Sequence, residues 1–257
     1  MEINAAVEAK ILERQWFYRF HLPDGRVTET YLPEEVWKIH ETREQMLIAA
    51  LERAFPDGWK NLRCADLACH EGFFSHQLAL RGCREVVGID ARSEHIAHAN
   101  LIRQAFAHEN LRFAVGDIQE LDANDLGRFD VTLLFGILYH LENIVGVLRL
   151  AQAITKSVCL IETQIAPNMS GVTDWGSENF HKQIVGCLAI VDESGELAGG
   201  NMEANTTAIS LFPSLPGLLW LLKAVGFAHS EVLPPPAGAY EQLASGKRVI
   251  VAAYNSE

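Results

Sequence analysis

Three aspartates stand at intervals that suit a nucleoside-binding site. Asp66, Asp90 and Asp117 each come at the end of a short apolar run or directly after it, 24 and 27 residues apart. A carboxylate in the second position can accept both hydroxyls of a ribose, and one in the third suits an adenine amino group. A helix N-cap is the structural alternative for any single acid. Three acids at three successive strand ends favour a ligand site, because open α/β sheets bind ligands at the carboxyl ends of their strands.

The loop after Asp66 restricts the kind of ligand. A pyrophosphate needs glycines spaced G-x-G-x-x-G so that the backbone can approach its phosphates, and this register places Ala68, His70 and Phe73 there. The register acid-x-G-x-G-x-G gives Asp66, Ala68, His70 and Gly72, which keeps the acid and the last glycine. The loop therefore excludes a dinucleotide and leaves a ligand without phosphate.

Alternating elements must bring these acids to one edge of a sheet. Near-continuous apolar runs, typical of strands buried on both faces, alternate with amphipathic helical patterns. A helix near Leu215–Val225 precedes two more strands, Ala228–Leu233 and Arg248–Tyr254, whose short connection predicts an antiparallel hairpin. We predict an α/β fold with a doubly wound, mostly parallel seven-stranded sheet and an antiparallel C-terminal hairpin. The five parallel strands are predicted at Arg63–Ala68, Glu85–Asp90, Leu111–Val115, Phe129–Phe135 and Ser157–Thr163.

The chain divides into a cap segment, residues 1–60, and a main domain, residues 61–257, with an insertion at 166–205. The cap segment has a helical pattern near Pro33–Phe55 and an aromatic stretch, from which Trp16, Tyr18 and Arg19 are expected to close over the site. The insertion is predicted to be a mobile acceptor lid, with an oligomer contact as the alternative. Its aromatics Trp175 and Phe180 would cover the acceptor, and its run Asp192–Glu196 is predicted to be an exposed turn.

Composition restricts the class of protein. The chain has 257 residues, 49% of them apolar, which excludes wholesale disorder, and its longest apolar stretches are too short for a membrane span. The net charge of −12, without clustered Lys and Arg, makes nucleic acid an unlikely partner on these grounds. Five cysteines with no C-x-x-C spacing predict reduced thiols and no metal site. We expect a cytoplasmic protein, and its oligomeric state stays open.

Four segments together resemble the class I S-adenosylmethionine-dependent methyltransferases: Asp66–Gly72, Gly88–Asp90, Gly116–Ile118 and Phe135–Leu141. The chain more narrowly resembles the branch that includes the tRNA wobble-uridine carboxymethyltransferase and related small-molecule methyltransferases. This narrower resemblance lies in Gly136–His140, Leu160–Thr163 and Leu211–Ser214. The resemblance covers about residues 63–233 and implies a Rossmann-like fold and S-adenosyl-L-methionine as cofactor.

The cofactor residues follow from the motifs and from this resemblance. In such relatives the residue matching Phe135 lines the adenosyl end, and the tyrosine matching Tyr139 contacts the cofactor. Arg43 suits the methionine carboxylate, because a guanidinium binds a carboxylate bidentately; a solvated surface arginine is the alternative. A carboxylated cofactor would need a further cation, and no C-terminal arginine is assigned to it, which favours ordinary methyl transfer. The predicted cofactor residues are Asp66, Ala68, Cys69, His70, Gly72, Asp90, Ala91, Asp117, Ile118, Phe135, Tyr139 and Arg43.

The acceptor side is predicted from the residues after the fourth and fifth strands. Methyl transfer is an in-line displacement that needs alignment, and needs a base only when the acceptor must lose a proton. His140 is the candidate base, and Glu162 and His181 are candidate pocket residues. His140 could instead pack the following helix, and Glu162 could be a structural carboxylate. We expect a small-molecule acceptor methylated at oxygen or nitrogen; the alternatives are an RNA-modifying (carboxy)methyltransferase and a non-catalytic cofactor-binding scaffold.

Overall fold

A seven-stranded sheet organises the protein. The computed structural model describes residues 4–174, 181–195 and 208–255. Five strands run parallel, and two C-terminal strands form an antiparallel hairpin that joins the sheet beside the fifth strand. They are β1 (Arg63–Leu67), β2 (Glu85–Asp90), β3 (Leu111–Val115), β4 (Phe129–Phe135), β5 (Thr155–Gln164), β10 (His229–Val232) and β11 (Arg248–Tyr254). Their order is β3-β2-β1-β4-β5-β11-β10, which confirms the predicted fold class.

Helices cover both faces of this sheet. They are α1 (Ala5–Leu12), α2 (Glu34–Ala54), α3 (Phe73–Leu80), α4 (Ser93–Ala105), α5 (Ala123–Leu126), a 3₁₀ turn (Leu138–His140), α6 (Ile144–Ile154), α7 (Leu215–Val225) and α8 (Glu241–Ala244). Local sequence explains the ends of α7, because the Ser214 hydroxyl accepts the Gly217 N–H and Gly226 ends the helix at φ +117°. In the described part of the chain, no helix is long and apolar enough to cross a membrane.

The core lies in two layers, one on each face of the sheet. Neighbouring strand residues alternate between them, so that Val86 belongs to one layer and Val87 to the other. The cap segment packs into the first layer, where Trp16 is fully buried and its indole N–H donates to the Ile11 carbonyl at 3.0 Å. Leu47 of α2 belongs to the same layer. The cap segment and one face of the sheet therefore share this first core layer.

Two hairpins contain the described strands of the insertion. In the first, β6 (Gly171–Asp174) pairs with β7 (His181–Ile184); in the second, β8 (Leu188–Asp192) pairs with β9 (Ile209–Pro213), which lies beyond the predicted end of the insertion at residue 205. The second hairpin is fixed at its base, where the Cys187 N–H donates to the Ser214 hydroxyl at 3.0 Å. The predicted lid aromatics Trp175 and Phe180 lie outside the described residues.

Candidate active site

A cavity of about 430 Å³ opens at the carboxyl ends of the parallel strands, beneath the cap segment. The strand-end loops, the cap segment and the start of β11 all contribute to its wall. Ten of the predicted site residues line it: Arg43, Ala68, His70, Asp90, Ala91, Asp117, Ile118, Phe135, Tyr139 and His140. Other lining residues are Phe17, Tyr18, His40, Tyr240, Gln242 and Arg248.

The loop between β1 and α3 follows the course of a glycine-rich loop although it keeps one glycine. Ala68, His70 and Gly72 all have positive φ, at 60°, 53° and 77°. An L-residue in this left-handed region costs about 1–2 kcal/mol, and Ala68 and His70 carry that strain. A Cβ on Gly72 would lie 2.5 Å from the Phe113 ring, so that glycine is also required by packing. The loop thus turns through three left-handed residues, two of them at a cost in stability.

Asp90 ties this loop to the end of β2. One carboxylate oxygen accepts the His70 N–H at 2.8 Å, and the other accepts the Arg92 N–H at 2.9 Å and lies 3.2 Å from His95 Nδ1. Burial opposes the charge on Asp90, but these hydrogen bonds prevail and hold its pKa below the usual value. Asp90 therefore presents an ionised, rigidly held carboxylate at the cavity wall.

Asp66, Cys69 and Gly72 support the loop from behind and do not line the cavity. The Asp66 carboxylate accepts both the backbone N–H and the hydroxyl of Ser75, at 3.0 and 2.7 Å, and so holds the first turn of α3. Burial raises the pKa of Asp66 to about 6 and raises the pKa of the Cys69 thiol well above its usual value. Asp66, Cys69 and Gly72 therefore shape the loop and stand behind the cavity wall.

The residues predicted for the adenosyl group, at the ends of β3 and β4, differ in exposure. Asp117 is exposed at the cavity mouth, and its carboxylate accepts the Gln119 N–H at 2.9 Å. Ile118 is buried beside it, and the Phe135 ring packs edge-on against Phe74 with centroids 4.8 Å apart. The apolar side chains thus form walls around a polar group at the mouth.

The cap segment is attached to the loop by Glu71, a residue that sequence reasoning did not single out. The buried Glu71 carboxylate accepts the backbone N–H groups of Phe17 and Tyr18 at 3.0 and 3.3 Å. The Tyr18 ring stacks on Phe73 at 4.9 Å, and the Phe17 ring lies 4.8 Å from His70. The cap thereby roofs the cavity with two aromatic side chains.

Two of the three cap residues expected over the site lie elsewhere. Trp16 is fully buried in the core, where its large apolar ring packs edge-on against Phe20 and His98 of α4. Arg19 is exposed and lies over the Trp37 ring. Phe17, which lies between Trp16 and Tyr18 in the chain, lines the cavity together with Tyr18.

A buried ionic cluster forms one end of the cavity. Glu162 is fully buried; its Oε2 lies 2.8 Å from Arg43 Nη2 and its Oε1 lies 3.1 Å from Arg248 Nη1. Arg248 also donates to the Tyr139 hydroxyl at 3.1 Å and to the Gln242 side chain at 2.7 Å. Two guanidinium groups share one carboxylate, so this end of the cavity carries excess positive charge. Both Glu162 oxygens are engaged here, and Glu162 itself does not line the cavity.

Arg248 is a charged lining residue that the sequence-based set lacks. Its signal is a charged residue at the start of the otherwise apolar strand Arg248–Tyr254. A buried charge needs a partner, and Arg248 finds one in Glu162 of the neighbouring strand β5, 86 residues earlier in the sequence.

Two imidazoles with lowered pKa values line the cavity. Burial lowers the pKa of His140, and the Glu193 carboxylate, 3.5 Å from its Nδ1, opposes that effect. His40 was not predicted; both of its ring nitrogens are buried without a hydrogen-bond partner, and burial together with nearby Arg43 places its pKa well below 6.5. His181, at the start of β7, is exposed and does not line the cavity. The imidazoles of His40 and His140 are therefore neutral at neutral pH.

In the described part of the chain, the cysteine and histidine side chains form no group of metal ligands. Over residues 4–174, 181–195 and 208–255, no three or more of His, Cys, Asp and Glu are grouped as metal ligands. All five cysteines have free thiols, and the Cys64 and Cys83 sulfurs lie 3.7 Å apart in the core.

Comparisons with known proteins agree with this geometry. The family model described as a methyltransferase domain matches residues 59–195, which is more than half of the chain. The Escherichia coli O-antigen chain terminator bifunctional methyltransferase/kinase WbdD is 38% identical over 91 residues, 34% of this chain and 12% of that protein. The tRNA U34 carboxymethyltransferase of Trichodesmium erythraeum (strain IMS101) is 29% identical over 110 residues, 42% of this chain and 33% of that protein. The matches thus span a third or less of these relatives.

Solved structures with the same fold extend the likeness to nearly the whole chain. The N-terminal domain of EvdMO1, crystallised with SAH bound, is 21% identical with a TM-score of 0.68, covering 96% of this chain and 94% of that one. Magnesium protoporphyrin IX methyltransferase (ChlM) from Synechocystis PCC 6803 with bound SAH is 14% identical with a TM-score of 0.57, covering 89% and 90%. The family match and the strand order agree: the chain belongs to the methyltransferase-domain family, and its identification as a class I S-adenosylmethionine-dependent methyltransferase is confirmed.

Proposed function

We propose that this protein methylates a small molecule at oxygen or nitrogen inside the cavity beneath the cap segment. One observation carries the proposal: the strand-end acids Asp90 and Asp117 line the same cavity as His140. Phe17 and Tyr18 of the cap segment cover this cavity. Its volume of about 430 Å³ falls in the range of small-molecule sites. A roofed cavity suits a compact acceptor better than a long polymer.

The residues present fit S-adenosylmethionine. Asp90 is assigned to the ribose hydroxyls and Asp117 to the adenine amino group, with Phe135 and Ile118 as apolar walls. Arg43 is assigned to the methionine carboxylate, because its Nε is buried without a hydrogen-bond partner and can donate to an anion. When bound, this cofactor supplies a methyl group on a positively charged sulfur.

His140 is proposed as the base that takes a proton from the acceptor. Its lowered pKa keeps the imidazole neutral at neutral pH, so that it can accept a hydroxyl proton. Phe17 and Tyr18 would exclude water and help to align the acceptor. A nitrogen acceptor with a free lone pair would need only the alignment.

A turnover screen tests the proposal. The purified chain is supplied with S-adenosylmethionine and panels of hydroxylated and aminated small molecules, and adenosylhomocysteine formation is measured. Turnover of a small molecule that is lost in His140→Ala is expected. Turnover of transfer RNA alone would contradict the small-molecule assignment, and cofactor binding without any turnover would favour a scaffold.

Carboxymethyl transfer to RNA is the second candidate, and Arg248 is the observation that favours it. A carboxylated cofactor needs a cation for its extra carboxylate, and Arg248 lies at the cavity beside the Tyr139 hydroxyl. The relative from Trichodesmium erythraeum carries that activity in its name. Calorimetry separates the two: tighter binding of carboxy-S-adenosylmethionine than of S-adenosylmethionine, lost in Arg248→Met, would support carboxymethyl transfer.

A further inference from the structure

Glu193 departs from the exposed turn predicted for its part of the insertion. Asp192, Ser194 and Gly195 around it are exposed, whereas the Glu193 side chain is only 14% exposed and its Oε2 atom is buried. That oxygen lies 3.5 Å from Nδ1 of His140. A carboxylate from the insertion therefore faces the imidazole proposed as the base.

Three contacts hold Glu193 in this place. Its backbone N–H donates to the Ala208 carbonyl at 3.0 Å, which continues the pairing of β8 with β9. Phe212 of β9 packs edge-on against Tyr139, with ring centroids 5.4 Å apart. The Ser214 hydroxyl fixes the base of the hairpin through the Cys187 N–H. The hairpin thus rests against the 3₁₀ turn that carries His140.

We propose that Glu193 is a positioning residue that sets the tautomer and orientation of His140. This inference rests on the proposed function. A carboxylate facing Nδ1 favours a proton on that nitrogen, which leaves Nε2 as the basic nitrogen for the acceptor hydroxyl. The hydroxyl proton passes to Nε2 as the acceptor oxygen bonds the methyl carbon, and the carbon–sulfur bond breaks with its electron pair going to sulfur. The Glu193 carboxylate then stabilises the imidazolium.

The charges around His140 determine in which direction its pKa changes when Glu193 is replaced. Arg248 and Arg92 both lower the pKa of His140, in addition to burial, and Glu193 raises it. The Tyr139 ring lies beside the imidazole, with centroids 4.2 Å apart. Loss of the Glu193 charge leaves the two guanidinium groups unopposed, so the pKa of His140 must fall further.

Nitrogen-15 NMR of the full chain tests the inference without an acceptor. The His140 resonances are assigned with His140→Gln, and their pH titration and tautomer are compared in wild type, Glu193→Gln and Glu193→Asp. We expect a predominantly Nδ1-protonated ring in the wild type, and in Glu193→Gln a lower pKa and a mixture of tautomers. Exposed Glu142→Gln is the matched control and should leave both unchanged.

Kinetics on an acceptor from the turnover screen complete the test. Glu193→Gln should lower the maximal rate about 10–100-fold and shift the acidic limb of the pH profile to lower pH, with adenosylhomocysteine affinity unchanged. An unchanged His140 pKa and tautomer in Glu193→Gln would overturn the inference. If the expected pKa and tautomer changes are seen in Glu193→Gln but the wild type methylates no small molecule, only the proposed function is contradicted. The two failures are therefore distinguishable.

Discussion

Glu162 and Arg248 form a buried ion pair across the neighbouring strands β5 and β11, with 3.1 Å between Oε1 and Nη1. The other oxygen of Glu162 pairs with Arg43 of α2 at 2.8 Å. A single carboxylate thus joins the cap segment to the C-terminal hairpin and is shared by two guanidinium groups. Its loss would leave both guanidinium groups buried without the carboxylate that they share.

Glu162→Ala should therefore destabilise the protein strongly. Removing one partner of a buried ion pair costs about 3–5 kcal/mol, because the remaining charge stays desolvated. Urea unfolding at pH 7.5 measures the free energy of unfolding. Glu231, whose side chain is 42% exposed and pairs with Arg53 at the surface, gives the matched control Glu231→Ala, expected to lose about 1 kcal/mol or less. Equal losses in the two variants would contradict the view that burial makes the Glu162 cluster important.

Ala68→Gly should stabilise the protein. Ala68 has φ +60°, a conformation in which glycine avoids the steric cost of Cβ, and the expected gain is about 1 kcal/mol. The control is Ala153→Gly, on an exposed position of α6, which should lose about 1 kcal/mol. Thermal and urea unfolding check both. A loss in Ala68→Gly similar to that in Ala153→Gly would mean that the loop relaxes around alanine without strain.

Asp90→Ala should weaken adenosylhomocysteine binding while the protein remains folded. Each charge-assisted hydrogen bond lost to the ribose costs about 1.5–3 kcal/mol before water compensates. The variant also frees the His70 and Arg92 N–H groups, so circular dichroism must show that the fold is kept. Calorimetry of Asp57→Ala, on an exposed site away from the cavity, is the control. Wild-type affinity in a folded Asp90→Ala would refute the ribose assignment.

His76→Gln should make the protein less sensitive to acid. Burial, with smaller contributions from His108 and Arg81, lowers the pKa of His76 to about 3, whereas an unfolded histidine titrates near 6.5. The unfolded chain therefore binds the proton first, and stability that is present above pH 6.5 is lost as the pH falls toward 3.

Urea unfolding at pH 7.5 and 5.5 measures this linkage. Between these values the wild type should lose about 1.4 kcal/mol more than His76→Gln, as expected from one pH unit below the unfolded pKa. His229→Gln, at an exposed position of β10, is the matched control. The same pH dependence in wild type and His76→Gln would show that His76 charges without unfolding.

The insertion should exchange its amide hydrogens unevenly. The hairpin β8–β9 rests on Tyr139 through Phe212, whereas β6–β7 presents exposed side chains such as Val172. We expect protection of Leu188–Asp192 in the ligand-free protein, and slower exchange of β6–β7 only after cofactor product and acceptor are bound. Hydrogen exchange with mass spectrometry measures both hairpins. Uniformly strong protection without ligands would rule out a lid, and protection that depends on protein concentration would indicate an oligomer contact.

The sequence by itself determined the sheet, the strand ends and the strand-end acids. Apolar runs and helical periodicity are local patterns, and the rule that parallel strands meet at their carboxyl ends brings Asp90 and Asp117 to one edge without further information. The loop after β1 was also predictable, because its register with Asp66 and Gly72 specifies where the chain must turn.

Only the tertiary structure decided which distant side chains share the cavity. Arg248 reaches Tyr139 across 109 residues because β11 pairs with β5 in one register, and Glu193 reaches His140 because a hairpin packs on the 3₁₀ turn. Glu162 lies near the carboxyl end of β5, where acceptor-pocket residues were predicted, yet two arginines from elsewhere in the chain bind its oxygens. Such pairings are set by strand register and by the burial of charge, and no local pattern encodes either of them.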